Sequence, residues 1–295
     1  MKRRLIGGVL LTLVVTGCSS PRWAFMPGCW LRAKDAPVAE VAAIDRMTRD
    51  ELTEKCVFIK NDFMLPYRLH SPAKVEEKTR YPLVLFLHGA GERGNDNVKT
   101  LVHGVLPICG YAMKHGDAYV IAPQCPSGRK WVCQDWSKQS MRRPDEPSAE
   151  LSAVMDLVRG FVETHPVDVS RIYVTGISMG GFGTWDIVSR MPGFFAAMMP
   201  ICGGVDAATA PLFAREGDGF GIRFFHGGAD AVVTPEYSRR MDRALAAAGV
   251  EHGYTEYPGV GHDCWTRTYA GEANLAWLFG CRRKSFDTRF FLVGE

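Results

Sequence analysis

Three residues have the types, order and surroundings needed for acyl transfer: Ser178, Asp230 and His262. Ser178 stands in Gly176-Ile177-Ser178-Met179-Gly180, after the mostly apolar run Arg171-Ile172-Tyr173-Val174 and before residues that read as a helix. A strand-to-helix turn that tight strains its central residue and leaves no room for Cβ atoms two positions to either side, which gives the glycines a steric reason. The hydroxyl is then pushed out above the sheet. The N–H of Met179 falls at the helix start, where unpaired donors favour negative charge. A serine hydroxyl needs a base, and a histidine base needs a carboxylate to hold its tautomer. His262, in Gly259-Val260-Gly261-His262-Asp263, follows the last strand-like run; Asp230, in Gly227-Gly228-Ala229-Asp230, follows the one before it.

The alternatives are few. Asp206 is the rival acid, one strand earlier, and Asp263 adjoins the histidine in a loop that rarely turns back on its own ring. His88 and His226 each precede a glycine at a strand end and read as loop-fixing residues, while His252 falls at the edge of the last strand. A second donor for a developing oxyanion is expected after the third strand. Leu87-His88-Gly89-Ala90-Gly91-Glu92-Arg93-Gly94 supplies it, with the N–H of Ala90 paired to that of Met179.

The elements that must position these groups alternate along the chain. Cys56–Ile59 and Phe63–Leu69 predict an antiparallel pair turning at Asn61-Asp62. Val84–Leu87 and Tyr119–Ala122 are continuous apolar runs, as expected of central strands covered on both faces. Between them Val98–Lys114 predicts a crossover helix kinked or divided by Pro107. Ser148–Glu163 has helical spacing at Leu151, Val154, Met155, Val158 and Phe161. Further strands are expected at Phe195–Ile201, Ile222–His226 and Tyr254–Tyr257, and further helices at Pro235–Gly249 and Glu272–Phe279. Such alternation predicts an α/β fold with a doubly wound, mostly parallel sheet. The Trp-containing connection Cys125–Pro147, at a strand's carboxyl end, reads equally as a pocket wall or as a solvated excursion with Trp136 tucked into the core, and Trp131, Trp136 and Trp185 are either aromatic surface for substrate or core.

With 295 residues, 46% hydrophobic and 23% charged, the chain has the composition of a globular protein with ample core. The net charge of +3 is matched by Lys2, Arg3 and Arg4, and no basic run suggests nucleic acid. Those three residues open an apolar stretch ending in Val15-Thr16-Gly17-Cys18-Ser19-Ser20, which resembles a bacterial lipoprotein box. The expectation is a signal peptide at 1–17, a lipid on Cys18, a tether over 18–50 with a short helix near Val38–Arg49, a catalytic domain at 51–285 and a tail at 286–295. The protein would sit in the cell envelope, held to a membrane by acyl chains, and to the outer membrane if there is one. Nine cysteines include no Cys-x-x-Cys, so no metal site is expected. In an oxidising compartment Cys125 and Cys133 could close the pocket loop and Cys264 could pin the loop of His262; several others, Cys202 among them, read equally as buried thiols.

Taken together, Leu-His-Gly-Ala-Gly-Glu-Arg-Gly at 87–94, Ala122-Pro123-Gln124-Cys125-Pro126, Gly-Ile-Ser-Met-Gly-Gly at 176–181 and Gly-His-Asp at 261–263 resemble the α/β-hydrolase superfamily. The resemblance is to a bacterial phospholipase/carboxylesterase-like branch, often labelled predicted peptidases and related to feruloyl and polyhydroxyalkanoate esterases. It covers about Glu51 to Phe279. It implies hydrolysis of carboxylic esters, small or polysaccharide-linked, through a serine acyl-enzyme and without a cofactor. A peptidase of the prolyl-oligopeptidase type and a non-catalytic surface binding protein of the same fold are the alternatives.

Overall fold

The computed structural model describes residues 48–60, 62–133, 142–217 and 219–284. The leader, Cys18, the tether up to residue 47, Trp136 and the C-terminal tail lie outside the described residues.

Among the described residues eight strands form one sheet: β1 (Glu54–Lys60), β2 (Phe63–His70), β3 (Tyr81–Leu87), β4 (Tyr119–Pro123), β5 (Val167–Ile177), β6 (Ala197–Ile201), β7 (Gly221–Gly227) and β8 (Gly253–Tyr257). Their order across the sheet is β1-β2-β4-β3-β5-β6-β7-β8. β1 pairs antiparallel with β2, and β2 with β4; every other pairing is parallel. The sheet is therefore the mostly parallel one expected from the alternation, with its antiparallel pair at one edge. Every residue of β3, β4 and β6 is buried, as continuous apolar runs require.

Successive side chains of these strands divide between two cores, as a period of two demands. Leu83, Leu85, Leu87, Ile172, Val174, Met198, Ile222 and Phe224 pack on one side. Val84, Phe86, Tyr173, Ile177, Met199, Ile201 and Phe225 pack on the other. The first core is closed by the helices at Ala149–Thr164, Met179–Arg190 and Glu236–Ala247; the second by those at Val105–Lys114, Trp265–Ala270 and Glu272–Gly280. With short helices at Arg49–Leu52 and Ala210–Phe213, these become α1 (Arg49–Leu52), α2 (Val105–Lys114), α3 (Ala149–Thr164), α4 (Met179–Arg190), α5 (Ala210–Phe213), α6 (Glu236–Ala247), α7 (Trp265–Ala270) and α8 (Glu272–Gly280).

Several elements differ from expectation. The break in Val98–Lys114 comes at Gly104 (φ 74°), not at Pro107: a 3-10 turn at Lys99–Leu101 precedes it and α2 follows. A methyl group on Gly104 would run into the Phe86 ring, whereas Pro107 sits in the first turn of α2, where its missing N–H costs nothing. The short helix expected near Val38–Arg49 falls almost wholly outside the described residues; α1 runs from Arg49 and is capped by Thr48 through a reciprocal bond with Glu51. Its Asp50 pairs with buried Arg68, so the expected tether already docks on β2 at its last residues. Helices α5 and α7 are too short to show a period in sequence.

Candidate active site

β5 runs into α4 through Ser178 alone. Its backbone sits at φ 51° and ψ −117°, a conformation that costs a β-carbon-bearing residue on the order of 1–3 kcal/mol. The glycines make the turn possible. A methyl on Gly176 would lie 2.5 Å from the carbonyl oxygen of Gly180, and one on Gly180 would collide with that of Leu87. Ser178 N–H donates to Ile201 O at 2.9 Å, tying the elbow to the end of β6.

The two loops beyond β7 and β8 are stitched together by their backbones. Gly228 N–H donates to Tyr257 O and Ala229 N–H to Val260 O, both at 2.9 Å, and a side chain on Gly227 would collide with Gly261 O. This contact brings Asp230 and His262, 32 residues apart, into register: Asp230 Oδ2 lies 2.7 Å from His262 Nδ1. His262 Nε2 lies 2.9 Å from Ser178 Oγ. The carboxylate is fully buried while the imidazole is 19% exposed, so only the ring is open to an incoming molecule.

Burial pushes the Asp230 carboxyl up, but His226, His262 and the N–H groups of Val233 and Val232 all donate to it and hold it well below the carboxylate range. Its Oδ1 takes the two backbone donors at 2.8 and 2.9 Å. Burial lowers the His262 pKa, yet its bonds with Asp230 and with Cys202, and the charges of both, carry it up to about 9. The ring thus gains its proton readily, and a carboxylate that stays ionised stabilises the resulting imidazolium.

The loop after β3 faces the serine from the other side. A methyl on Gly89 would lie 3.6 Å from Ser178 Cβ. Gly89 opens a 3-10 turn, Ala90–Glu92, so the N–H of Ala90, like that of Met179 at the start of α4, belongs to a first turn whose donors have no partner within it. His88 fixes this loop as a neutral ring: burial pushes its pKa down to about 4, Cys125 N–H donates to Nε2 at 2.9 Å, and Nδ1–H donates to Gly89 O at 2.6 Å.

The rival acids are engaged elsewhere. Asp206 caps a 3-10 turn through Ala208 N–H, and Asp263 takes the N–H and hydroxyl of Thr266 at the start of α7. His88 fixes its loop as expected, but His226 does more than its sequence setting suggested. Its Nε2 lies 3.3 Å from Asp230 Oδ2 and 2.9 Å from Val233 O, while Ser238 Oγ meets Nδ1 at 2.7 Å. The spacing His226-x-x-x-Asp230 was the available signal. Of the two readings open for the tryptophans, Trp131 and Trp185 take the core: Trp131 is fully buried, with Nε1–H on His88 O at 3.0 Å, and Trp185 lies beside Phe213 and Phe224. Among the described residues Trp265 is the tryptophan at the site, edge-on to the His262 ring at 5.1 Å and next to His103, which lies 3.8 Å from Glu92. Cys125 and Cys133 are free thiols, one buried and one exposed, not a loop-closing bridge. Among the described residues one set of side chains is spaced to hold a metal ion: Cys202, Asp230 and His262, with ligand atoms within 4.8 Å of one another, two of them already bonded to each other.

A buried strand delivering a strained serine, an imidazole from the last loop and a carboxylate from the loop before it define an α/β-hydrolase, the fold expected from the sequence, of the class whose members hydrolyse carboxylic esters. The family model described as "Dienelactone hydrolase family" matches residues 132–275. A poly(3-hydroxyoctanoate) depolymerase of Pseudomonas fluorescens is 30% identical over 214 residues, 67% of this chain and 73% of its own. The chain belongs to the dienelactone hydrolase family. Among solved structures, a thermostable esterase aligns with TM-score 0.71 and 36% identity over 79% of this chain; the chain spans 64% of that esterase's length. A ferulic acid esterase from Anaeromyces mucronatus shares the fold at TM-score 0.54 and 16% identity, over 76% of this chain and 88% of its own.

Proposed function

We propose that this protein hydrolyses carboxylic esters through an acyl-enzyme, with Ser178 as nucleophile, His262 as general base and then acid, and Asp230 as the group that orients and charges the imidazole. The observation that carries this reading is the unbroken chain Ser178 Oγ, His262 Nε2, His262 Nδ1, Asp230 Oδ2, with separations of 2.9 and 2.7 Å. Ser178 Oγ attacks the ester carbonyl carbon as its proton passes to His262 Nε2. The carbonyl oxygen becomes an oxyanion, received by the N–H groups of Ala90 and Met179, each worth about 3 kcal/mol in the transition state. Collapse expels the alcohol with the proton from His262. Water, deprotonated by the same ring, then releases the acid.

The likeness to a polyester depolymerase and to esterases supports an ester over a peptide bond. Hydrolysis of p-nitrophenyl butyrate by the wild type, lost in Ser178→Ala, is the result expected. Cleavage of peptide anilides with no turnover of esters would favour the peptidase reading, and neither activity would favour a binding protein. The Val15–Ser20 stretch supports export, a lipid on Cys18 and, with them, a location at the cell envelope. Incorporation of labelled palmitate that persists in Cys18→Ala would refute the anchor. Among the described residues no helix is long and apolar enough to cross a membrane.

A further inference from the structure

We propose that Cys202 and Cys264 are a thiol pair that closes to a disulfide beneath His262, clamping the loop of the base to the end of β6. The proposal rests on His262 being the base of the ester hydrolysis proposed above. The two sulfurs lie 2.8 Å apart, closer than unbonded sulfurs pack and approaching the roughly 2.05 Å of a covalent S–S bond. Both residues are fully buried, at the ends of two different elements: Cys202 directly follows β6 and Cys264 precedes α7 by one position. Cys202 is held there in a left-handed conformation (φ 50°), its N–H on Phe225 O at 2.9 Å. Backbone strain of this kind at a non-glycine residue beside a reactive site is a feature the rest of β6 does not need.

The pair reaches the base directly. Cys202 S–H donates to the backbone oxygen of His262 at 3.1 Å, and its sulfur is within 4.8 Å of both a His262 ring nitrogen and an Asp230 oxygen. Cys264 N–H also donates to His262 O at 2.9 Å. The ionisable groups facing His262 are therefore Asp230 from the β7 loop with His226 behind it, Cys202 from the β6 end, and Cys264 and Asp263 from its own loop. With both thiols present, the Cys202 S–H is spent on the His262 backbone oxygen and the Cys264 sulfur lies against the Cys202 sulfur. A disulfide replaces this contact with a covalent tie between the end of β6 and the loop of His262.

The step is an exchange with a low-molecular-weight disulfide. Cys202 or Cys264 attacks a sulfur of the reagent, one reagent thiol leaves, and the second protein thiol displaces the other. The new S–S bond has formed, two electrons have passed to the reagent, and two reagent thiols carry away the two protons. Because the pair is buried, exchange proceeds through local opening of the loop.

The full chain is incubated with oxidised glutathione in sub-denaturing urea, returned to buffer, alkylated with N-ethylmaleimide under denaturing conditions, digested and weighed. The expected product links the Cys202 and Cys264 peptides, 2 Da below their summed thiol masses by simple loss of two hydrogens (about 1 Da each), and dithiothreitol restores two alkylated peptides. The linked protein should melt several degrees higher than the reduced one, and dithiothreitol should reverse the gain. Cys264→Ser should lose the redox response. Alkylated or glutathionylated Cys202 and Cys264 after oxidation would overturn the pair, and a linked pair with an unmoved melting temperature would overturn the clamp. A linked pair in a protein that turns over no ester would contradict the enzymatic reading, while leaving the bond itself established.

Discussion

Nε2 of His226 and Nδ1 of His262 converge on a single oxygen of Asp230, Oδ2, at 3.3 and 2.7 Å. The other oxygen is filled by two backbone donors. Asp230 thus has fixed position and fixed charge, and its two imidazoles differ in exposure: His226 is sealed and His262 is open toward Ser178. Asp230→Asn keeps the shape but presents the wrong tautomer of His262, so kcat for p-nitrophenyl butyrate should fall about 10⁴-fold with little change in KM. Loss of less than tenfold, read by steady-state kinetics, would remove Asp230 from the relay.

His226 supports Asp230 and does not reach Ser178. His226→Leu leaves the Ser238 hydroxyl, the Val233 carbonyl and one side of Asp230 without a partner inside the protein. The expected cost is about 1–3 kcal/mol for each buried polar group left unsatisfied, seen as a lower urea midpoint at unchanged slope. An unchanged midpoint would show that His226 is dispensable.

The pH dependence follows from His262. Only the neutral ring accepts the serine proton, so in the thiol form kcat/KM should fall tenfold per unit as pH drops below about 9. The same shift has a stability consequence of opposite slope. A ring whose pKa is raised on folding stabilises the fold fully below its unfolded value, near 6.5, and this is lost as pH rises through 9. Against His262→Gln, the wild type should therefore show a stability advantage at pH 6 that is gone by pH 10. A constant difference across that range would contradict it.

The elbow tolerates no side chain at Gly180, where a methyl would meet the backbone of Leu87 and His88. Backbone cannot swing away as a side chain can. Gly180→Ala should cost at least the roughly 1–3 kcal/mol of an overpacked core and lower Tm by several degrees. Gly91→Ala, with nothing within 4 Å of the added carbon, should be close to neutral. Equal melting temperatures for the two variants would contradict the steric account.

Most of this architecture was legible because it rests on local signals. The strands of the parallel core announced themselves as apolar runs, and Ser178, Asp230 and His262 each lie where a strand ends, so chain order alone ranked them ahead of Asp206 and Asp263. What stayed hidden depends on tertiary neighbours. Gly104, not Pro107, divides the crossover because Phe86 and Tyr269 crowd it, and neither is near it in sequence. Trp131 and Trp185 fill the core while Trp265 borders His262, a distinction that composition cannot make. The approach of Cys202 to Cys264 likewise joins positions 62 residues apart.

The central claim is that Ser178 is the nucleophile of an acyl-enzyme. Labelling of the full chain with a fluorophosphonate, followed by peptide mass mapping, tests it most directly. One adduct on the Ser178 peptide, lost in Ser178→Ala and strongly slowed in His262→Ala, with ester hydrolysis falling in parallel, is the result predicted. Ester turnover that survives in Ser178→Ala, or an adduct on another residue, would contradict it.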